Sequence, residues 1–312
     1  MHHSPASLAA RLRERLARLH PTVRGILWSV LAGVLFAVLN TMLRVMTKQL
    51  DPFQVQFLRY GMGCLVMLPL VLRSGLAAYI PKRMGGQFLR GAAHAGGLCF
   101  WFTALPHIHL ADMTAIGFTG PIFIMIGAFF FFKEQLRWDR WVAALIGFAG
   151  VMVVLGPNLS GGAGHYHLVM LASAPMFALS FLIAKSLTRD ERPAVIVVWL
   201  SLTVAIYSFP LALLHWQWPN AVQWLMFFVC GVLGSAGHYC LTRSFAATDI
   251  SATQSAKFLD LVWAALMGWI VFTDVPSQTT LIGGVVIAAA TVWIARREAR
   301  WRTAVPPVPP AA

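Results

Sequence analysis

Charged residues are scarce in this chain, and their scarcity excludes a soluble globular protein. Only 11 % of the 312 residues are Asp, Glu, Lys or Arg, whereas 58 % are hydrophobic. A protein with so little polar surface cannot cover itself in water. The sequence therefore predicts an integral membrane protein whose main solvent is lipid.

Cysteine is also scarce, and several catalytic motifs are missing. The four cysteines lie in apolar segments without the CxxC or Cys/His spacing of a zinc site. The chain lacks the GxxxxGK[ST] loop of ATP-binding proteins, the HExxH motif of metalloproteases and paired carboxylates inside its apolar runs. We therefore expect no catalytic residues, no metal, no cofactor and no direct use of ATP.

Long apolar runs are what the chain has instead. A bilayer core about 30 Å thick requires roughly 20 apolar residues per helix. We predict an all-α integral membrane protein with ten transmembrane helices. These cover residues 25–46, 53–73, 87–106, 111–132, 139–156, 165–187, 194–214, 221–243, 250–272 and 278–295.

The basic residues predict how these helices are oriented. Most of the 24 Lys and Arg residues, Arg90 among them, are assigned to the side that carries the N-terminus. Loops on the other side contain only Lys48, while Arg44, Arg59 and Lys257 lie within spans. Because basic loops stay in the cytoplasm, both termini are expected there, in the inner membrane of a bacterial cell. The net charge of +13 thus reflects topology and does not indicate a nucleic-acid partner.

The two ends of the chain differ from the apolar spans. Residues 1–24 form a basic segment without the apolar region of a secretory signal. Residues 297–312 form a basic, Pro-rich tail. We expect both segments to be cytoplasmic.

The two halves of the chain resemble each other. A shift of 141 residues aligns FAVLNTMLRVMT at 36–47 with FALSFLIAKSLT at 177–188. The sequence therefore predicts two repeats of five spans, over 25–156 and 165–296. Because five is odd, the second repeat enters the membrane from the opposite side, an arrangement typical of alternating-access carriers with a site near the midplane.

Two full charges fall inside the ninth predicted span, SAKFLDLVWAALMGW. Lys257 and Asp260 lie near mid-bilayer, where each charge costs about 2.5–3.5 kcal/mol if it faces lipid. Their spacing places them on one helix face, which continues through Gln254 and Trp263. This face is either the wall of a binding cavity or a buried ion pair that only fixes packing.

The repeat alignment favours the binding cavity. It places Gly120 and Phe123 opposite Lys257 and Asp260, so only one half carries the charges. Lys257 would bind a carboxylate or phosphate, and Asp260 an amine or a proton. Gly120 and Pro121 interrupt the helix near the same depth and would expose carbonyl groups to the cavity.

Other polar and aromatic residues within the spans complete the set of candidates. Arg59 either binds substrate or packs toward the outer headgroups. Trp101 and Trp263 either stack on a planar ligand or only fill space, and Asn40 either binds substrate or bridges helices.

A further group is predicted to act in gating or coupling. Arg44 and Lys185 are equivalent in the two repeats and either gate opposite ends of the protein or extend to their interfaces. His94 and His238 lie in the third and eighth spans, where they either relay protons or bridge helices.

One long stretch carries a family resemblance. ADMTAIGFTGPIFIMIGAFFFFKEQLRWDRWVAALIGFAGVMVVLGP, at 111–157, resembles the end of an EamA repeat of the drug/metabolite transporter superfamily. The segments FQVQFLRY, LRG at 89–91 and KFLDL are similar to the branch of S-adenosylmethionine carriers and, less closely, of riboflavin and metallophore carriers. The resemblance implies a ten-span, inverted-repeat carrier of small organic molecules.

The function expected from these features is secondary transport. The substrate would be a small polar or zwitterionic organic metabolite, the other partner is the lipid bilayer, and protons are a candidate coupling ion. A membrane-embedded enzyme and a non-transporting accessory subunit are the alternatives. Neither the direction of transport nor the oligomeric state is predicted.

Overall fold

The structure is a computed structural model that describes residues 19–117, 119–133, 138–159, 164–250 and 259–273, together with 253, 257, 278–279, 281–283, 285–286, 289–290 and 293. Within these residues the secondary structure is helical and contains no strand, which confirms the all-α prediction. The helices are α1 (Pro21–Thr47), α2 (Pro52–Ser74), α3 (Met84–Ala104), α4 (Leu110–Gly117), α5 (Gly120–Phe132), α6 (Trp138–Leu159), α7 (Gly164–Leu187), α8 (Pro193–Ala212), α9 (Ala221–Ala247) and α10 (Leu259–Phe272).

Several helices begin with chemistry that satisfies their free N–H groups. Pro occupies the first turn of α1, α2 and α8, where its missing N–H costs nothing. The Asp51 carboxylate accepts hydrogen bonds from the N–H groups of Phe53 and Gln54 at 2.9 and 3.2 Å. Asn220 and Gln223 form a capping box at the start of α9. These caps fix where the polar loops end and the apolar helices begin.

The described helices fit a protein that crosses the membrane several times. Five of them, α1, α2, α7, α8 and α9, are long and apolar enough to span a bilayer. The apolar segments Ile122–Phe132 and Val262–Phe272 are shorter. Only scattered residues of the tenth predicted span are described, so the number ten stays a prediction.

The fourth predicted span, 111–132, is not one helix. α4 ends at Gly117, and α5 begins at Gly120. Pro121, in the first turn of α5, lacks the N–H that would bond to the carbonyl of Gly117. The interruption expected at Gly120 and Pro121 is therefore present, and it divides the span into two short helices.

The helix contacts are preserved when the two halves of the chain are exchanged. α1 packs against α9, and its counterpart pair, α7 and α3, packs in the same way. α2 packs against its own counterpart, α8. Gln56 Nε2 donates to Ser208 Oγ at 2.6 Å, and Gly63, farther along α2, lies beside Ser201, earlier in α8. The two counterparts are thus antiparallel, as an inverted repeat requires.

The C-terminal ends of α5 and α10 correct the register between the halves. Lys133 and Thr273 follow these helices, and both have φ of 54°. They lie 140 residues apart, which places Gly117 and Gly120 opposite Lys257 and Asp260. The alignment made from sequence alone, which paired Lys257 and Asp260 with Gly120 and Phe123, differs from this one by three residues. The difference arises because the segment from Asp249 to Thr273 is three residues longer than the segment from Asp112 to Lys133.

Candidate functional site

A cavity of about 230 Å³ lies between the helices of the two halves. Both halves contribute to its wall, which carries aromatic groups as well as polar and charged groups on several helices. The aromatic wall residues are Phe36, Tyr60, Trp101, Phe102, Phe177 and Phe181. The polar and charged wall residues are Asn40, Arg59, His94, Thr114, Ser173, His238, Lys257 and Asp260.

Lys257 and Asp260 both line this cavity, but they contact different neighbours. The Lys257 ammonium lies 4.8 Å from the centre of the Phe181 ring on α7. The Asp260 carboxylate lies against Gly33 on α1, where a Cβ would collide with Oδ1. The ion pairs within the described part of the chain do not include one between Lys257 and Asp260. The geometry therefore leaves both charges available to a molecule in the cavity.

The remaining residues of the same face differ in position. Trp263 is not among the wall residues of the cavity, although its ring lies close to Gly33. Its indole N–H is buried and has no hydrogen-bond partner within the described residues. Gln254 lies outside those residues.

His94 bridges three helices. Its Nε2 lies 2.9 Å from the hydroxyl of Tyr60 on α2, and its Nδ1 lies 3.2 Å from Oγ of Ser180 on α7. Both ring nitrogens are thus engaged, and only 3 % of the residue is exposed. This geometry supports the helix-bridging alternative for His94 more than a proton relay.

His238 has a different environment, although it is close to His94. The two ring centres are 5.3 Å apart, and the centre of the Phe36 ring lies 5.0 Å from that of His238. Nδ1 of His238 is buried and has no hydrogen-bond partner among the described residues. The sequence predicted the same role for both histidines, but their hydrogen bonding differs: both ring nitrogens of His94 have partners, whereas Nδ1 of His238 has none within the described residues.

Arg59 is buried in the same wall. Its guanidinium carbon lies 4.0 Å from the centre of the Tyr60 ring. Gly234 on α9 leaves room for it, since a Cβ there would lie 2.9 Å from Nη2. Arg59 therefore lines the cavity, and its guanidinium packs against α9.

The two gating candidates do not line the cavity. Lys185 Nζ donates to the carbonyls of Phe245 and Thr248, at 2.8 and 2.6 Å, at the end of α9. Arg44 is buried, with its guanidinium carbon 4.5 Å from the centre of the Phe272 ring. Both lie near the end of their own helix, so a role in gating stays a prediction.

The other candidates are distributed as follows. Asn40, Trp101 and Gly120 line the cavity. Pro121 is placed in α5, but its side chain lies outside the described set.

Sequence reasoning did not select three wall residues that lie beside the candidate groups, namely Phe181 at Lys257, Phe177 at His94 and Gly33 at Asp260. Phe177 and Phe181 recur at i,i+4 on α7, and this spacing was a signal that both face the same side. Gly33 gave no such signal, because its partner Asp260 lies in the other half of the chain.

Comparison with known proteins adds a family and several relatives. A sequence model of the EamA-like transporter family matches residues 23–156 and again 165–296. A riboflavin transporter of Rhizobium johnstonii is 34 % identical, with 89 % of this chain and 93 % of that protein covered. An S-adenosylmethionine uptake transporter of Rickettsia prowazekii is 29 % identical, with coverage of 88 % and 94 %.

Two more comparisons agree with these. A pseudopaline exporter of Pseudomonas aeruginosa is 26 % identical, with 88 % of this chain and 96 % of that protein covered. A solved crystal structure shares the fold with a TM-score of 0.70, covering 89 % of this chain and 98 % of that chain at 20 % identity. These relatives are named transporters and an exporter, which confirms the resemblance predicted from the sequence and the exclusion of an enzyme.

Proposed function

Because the chain belongs to the EamA-like transporter family, we propose that it is a secondary transporter of a small polar or zwitterionic organic metabolite. The observation that carries this proposal is the cavity between the halves, with Lys257, Asp260 and Arg59 in its wall. Charged groups at membrane depth are costly and mark substrate or ion pathways. An accessory subunit that binds no small molecule has no need of them.

Alternating access is the mechanism that the architecture supports best. α2 and α8 are antiparallel counterparts, and the α1–α9 and α3–α7 contacts are exchanged when the halves are swapped. Two conformations related by that exchange open the cavity to opposite sides in turn. In this proposal ten spans cross the cytoplasmic membrane of a bacterium, with both termini inside.

The wall suggests how a substrate is held. Lys257 binds a carboxylate or phosphate oxygen, and Asp260 binds an amine or carries a proton. The rings of Phe177 and Phe181 pack against a planar part of the molecule. Riboflavin and S-adenosylmethionine, named for two relatives, are the first molecules to test, since both contain a planar ring system.

The decisive experiment is uptake into proteoliposomes. Purified protein is reconstituted, and entry of radiolabelled riboflavin and S-adenosylmethionine is compared between wild type and Lys257→Met. We expect the variant to lose uptake of the transported molecule by at least tenfold, because one hydrogen bond to a charged group contributes about 1.5–3 kcal/mol.

A matched control is available in Lys82→Met, because Lys82 is exposed in a loop. This variant is expected to transport as wild type does. Equal uptake by wild type and Lys257→Met contradicts the assigned site. Failure of folded wild-type protein to move any molecule of a wider metabolite panel contradicts transport.

Proton coupling through Asp260 is tested separately. Asp260→Asn keeps the size of the side chain but cannot exchange a proton, so we expect substrate binding to persist while uptake no longer changes with pH. The variant is compared with wild type at several external pH values. Unchanged pH dependence in Asp260→Asn rejects Asp260 as the carrier and leaves Lys257, His238, His94 and Tyr60 as the other titratable wall groups within the described residues.

A further inference from the structure

Arg59 is held in the cavity wall with part of its hydrogen-bonding capacity unused. Only 5 % of the residue is exposed. Its Nε has no hydrogen-bond partner within the described residues. A buried donor on a charged group is costly when it is left unbonded. The Arg59 side chain that carries this donor is part of the cavity wall.

His238 presents a second unused nitrogen next to Arg59. It is also 5 % exposed and lines the cavity, and its Nδ1 has no partner in the described part of the chain. His238 follows Gly234, the residue beside the Arg59 guanidinium, by four positions on α9. Residues four apart lie on one face of a helix, so Arg59 and His238 occupy adjacent levels of the wall.

The charges of the wall favour an anion at this position. Its charged residues within the described set are Arg59, Lys257 and Asp260, so two positive groups face one negative group. Asp260 on α10 lies against α1, whereas Arg59 on α2 lies against α9. Arg59 is thus a positive group held by other helices than those that hold the Asp260 carboxylate.

We propose that Arg59 and His238 form an anion subsite that binds a carboxylate or phosphate group of the substrate. The Arg59 guanidinium supplies the charge and one or two N–H donors, and His238 donates from Nδ1 in the tautomer that has its proton there. Lys257 and Asp260 then bind the remaining polar groups, and the Phe36 ring packs next to His238. This inference rests on the proposed transport function and specifies the chemistry of its substrate.

The subsite is tested with ligands that differ only in charge. Phenylacetate, phenylacetamide and phenyl phosphate share one ring, and their binding to purified protein in detergent is measured from the shift of the thermal unfolding midpoint. We expect at least one of the two anions to bind wild type about tenfold or more tightly than the amide. The better of the two identifies the anion that the subsite accepts.

Variants then locate the preference. Arg59→Gln is expected to bind the anions and the amide alike, and Arg59→Lys to restore part of the difference. Gly234→Ala is expected to weaken anion binding because its Cβ displaces the guanidinium. Its control is Gly61→Ala on α2, where a Cβ meets no atom within 4 Å. Lys257→Gln is measured beside them, and the control expected to retain the full anion preference is Lys82→Gln, in an exposed loop.

The outcomes separate the subsite from transport. Equal binding of all three ligands to wild type, no binding of any, or a preference that persists in Arg59→Gln overturns the subsite. Loss of the preference in Lys257→Gln but not in Arg59→Gln also overturns it and assigns the anion to Lys257. If uptake is observed but the preference is not, transport stands without this subsite. If the preference is observed in a protein that moves nothing, the subsite stands without transport.

Discussion

The two ends of the bundle are alike, whereas its centre is not. Near one end the Lys48 ammonium lies 5.1 Å from the centre of the Phe272 ring. Near the other end the Arg189 guanidinium lies 5.4 Å from the Phe132 ring. Lys48 and Arg189 are equivalent in the two repeats, and so are the two phenylalanines. The same cation–ring contact is therefore built twice.

The centre breaks this equivalence. Lys257 and Asp260 line the cavity in the second half, and the corresponding positions in the first half are Gly117 and Gly120, which line it as well. A contact that both halves share suits the exchange of two similar conformations. A charge that only one half carries suits recognition of a ligand with distinct ends. We therefore expect the ends to govern conformational change and the centre to bind the ligand.

The largest effect is expected from a change in the centre, at Gly33. Gly33→Ala places a Cβ where the Asp260 carboxylate now lies, so that carboxylate is pushed toward the cavity. We expect substrate affinity to fall by about tenfold or more, because the displaced carboxylate takes up space in the cavity and overpacking costs about 1–3 kcal/mol. Uptake and ligand-induced thermal shifts measure the loss.

Gly61→Ala serves as the control for Gly33→Ala, because it adds the same methyl group to a helix where there is open space. It is expected to bind substrate as wild type does, with a small gain in stability from the better helix former. If Gly33→Ala and Gly61→Ala bind substrate equally well, the close contact between Gly33 and the Asp260 carboxylate, here called the slot at Gly33, has no role in positioning Asp260.

A smaller effect, on stability, is expected from Lys185, whose contacts at one end of the bundle differ from those of its counterpart Arg44 at the other end. Lys185 donates to two carbonyls at the end of α9. Lys185→Met removes these charge-assisted bonds from a helix C-terminus, so we expect the free energy of unfolding to fall by about 1.5–3 kcal/mol. Denaturation in mixed micelles measures the change.

Lys185→Arg keeps a cation at the same place and is expected to recover much of the stability that Lys185→Met loses. Arg44→Met tests the counterpart position at the other end. If Lys185→Met has the same free energy of unfolding as wild type, the hydrogen bonds from Lys185 to the end of α9 do not stabilise the protein.

The smallest effect is expected from the repeated cation–ring contacts. Phe132→Leu removes the Arg189 contact, whereas Phe272→Leu removes the equivalent Lys48 contact together with the Arg44 contact, and each contributes about 0.5–1 kcal/mol. Because the Arg189 and Lys48 contacts are equivalent, we expect the two variants to shift the balance between the inward-open and outward-open conformations in opposite directions. Uptake measured with the substrate on either side of the liposome reveals the sign. Shifts of the same sign contradict a functional equivalence of the two ends.

Much of the fold could be predicted because it depends on patterns along the chain. Apolar length predicted the helices, and the cost of burying charge indicated that Lys257 and Asp260 avoid lipid, in agreement with their place in the cavity wall. The repeat was visible because equivalent residues recur at a nearly constant offset. These signals are local or periodic, so a single sequence contains them.

The rest depends on contacts between distant residues. The slot at Gly33 exists only because α1 meets α10, and a glycine has no side chain that indicates its partner. Arg90 was counted with the cytoplasmic basic residues, but it is only 1 % exposed and donates Nη1 to the carbonyl of Ile196 at 2.9 Å. α3 begins at Met84, so Arg90 lies more than a turn inside the helix, and packing against α8 buries it.

The contact between α2 and α8 has a consequence for the energetics of the protein. Because each helix is the counterpart of the other, exchanging the halves maps this contact onto itself. Gly63 and Ser201 therefore meet similar surroundings in any two conformations that the exchange relates. Their contribution therefore cancels in the free-energy difference between the two conformations. We expect substitutions at these two positions to change the free energy of unfolding without favouring either the inward-open or the outward-open conformation.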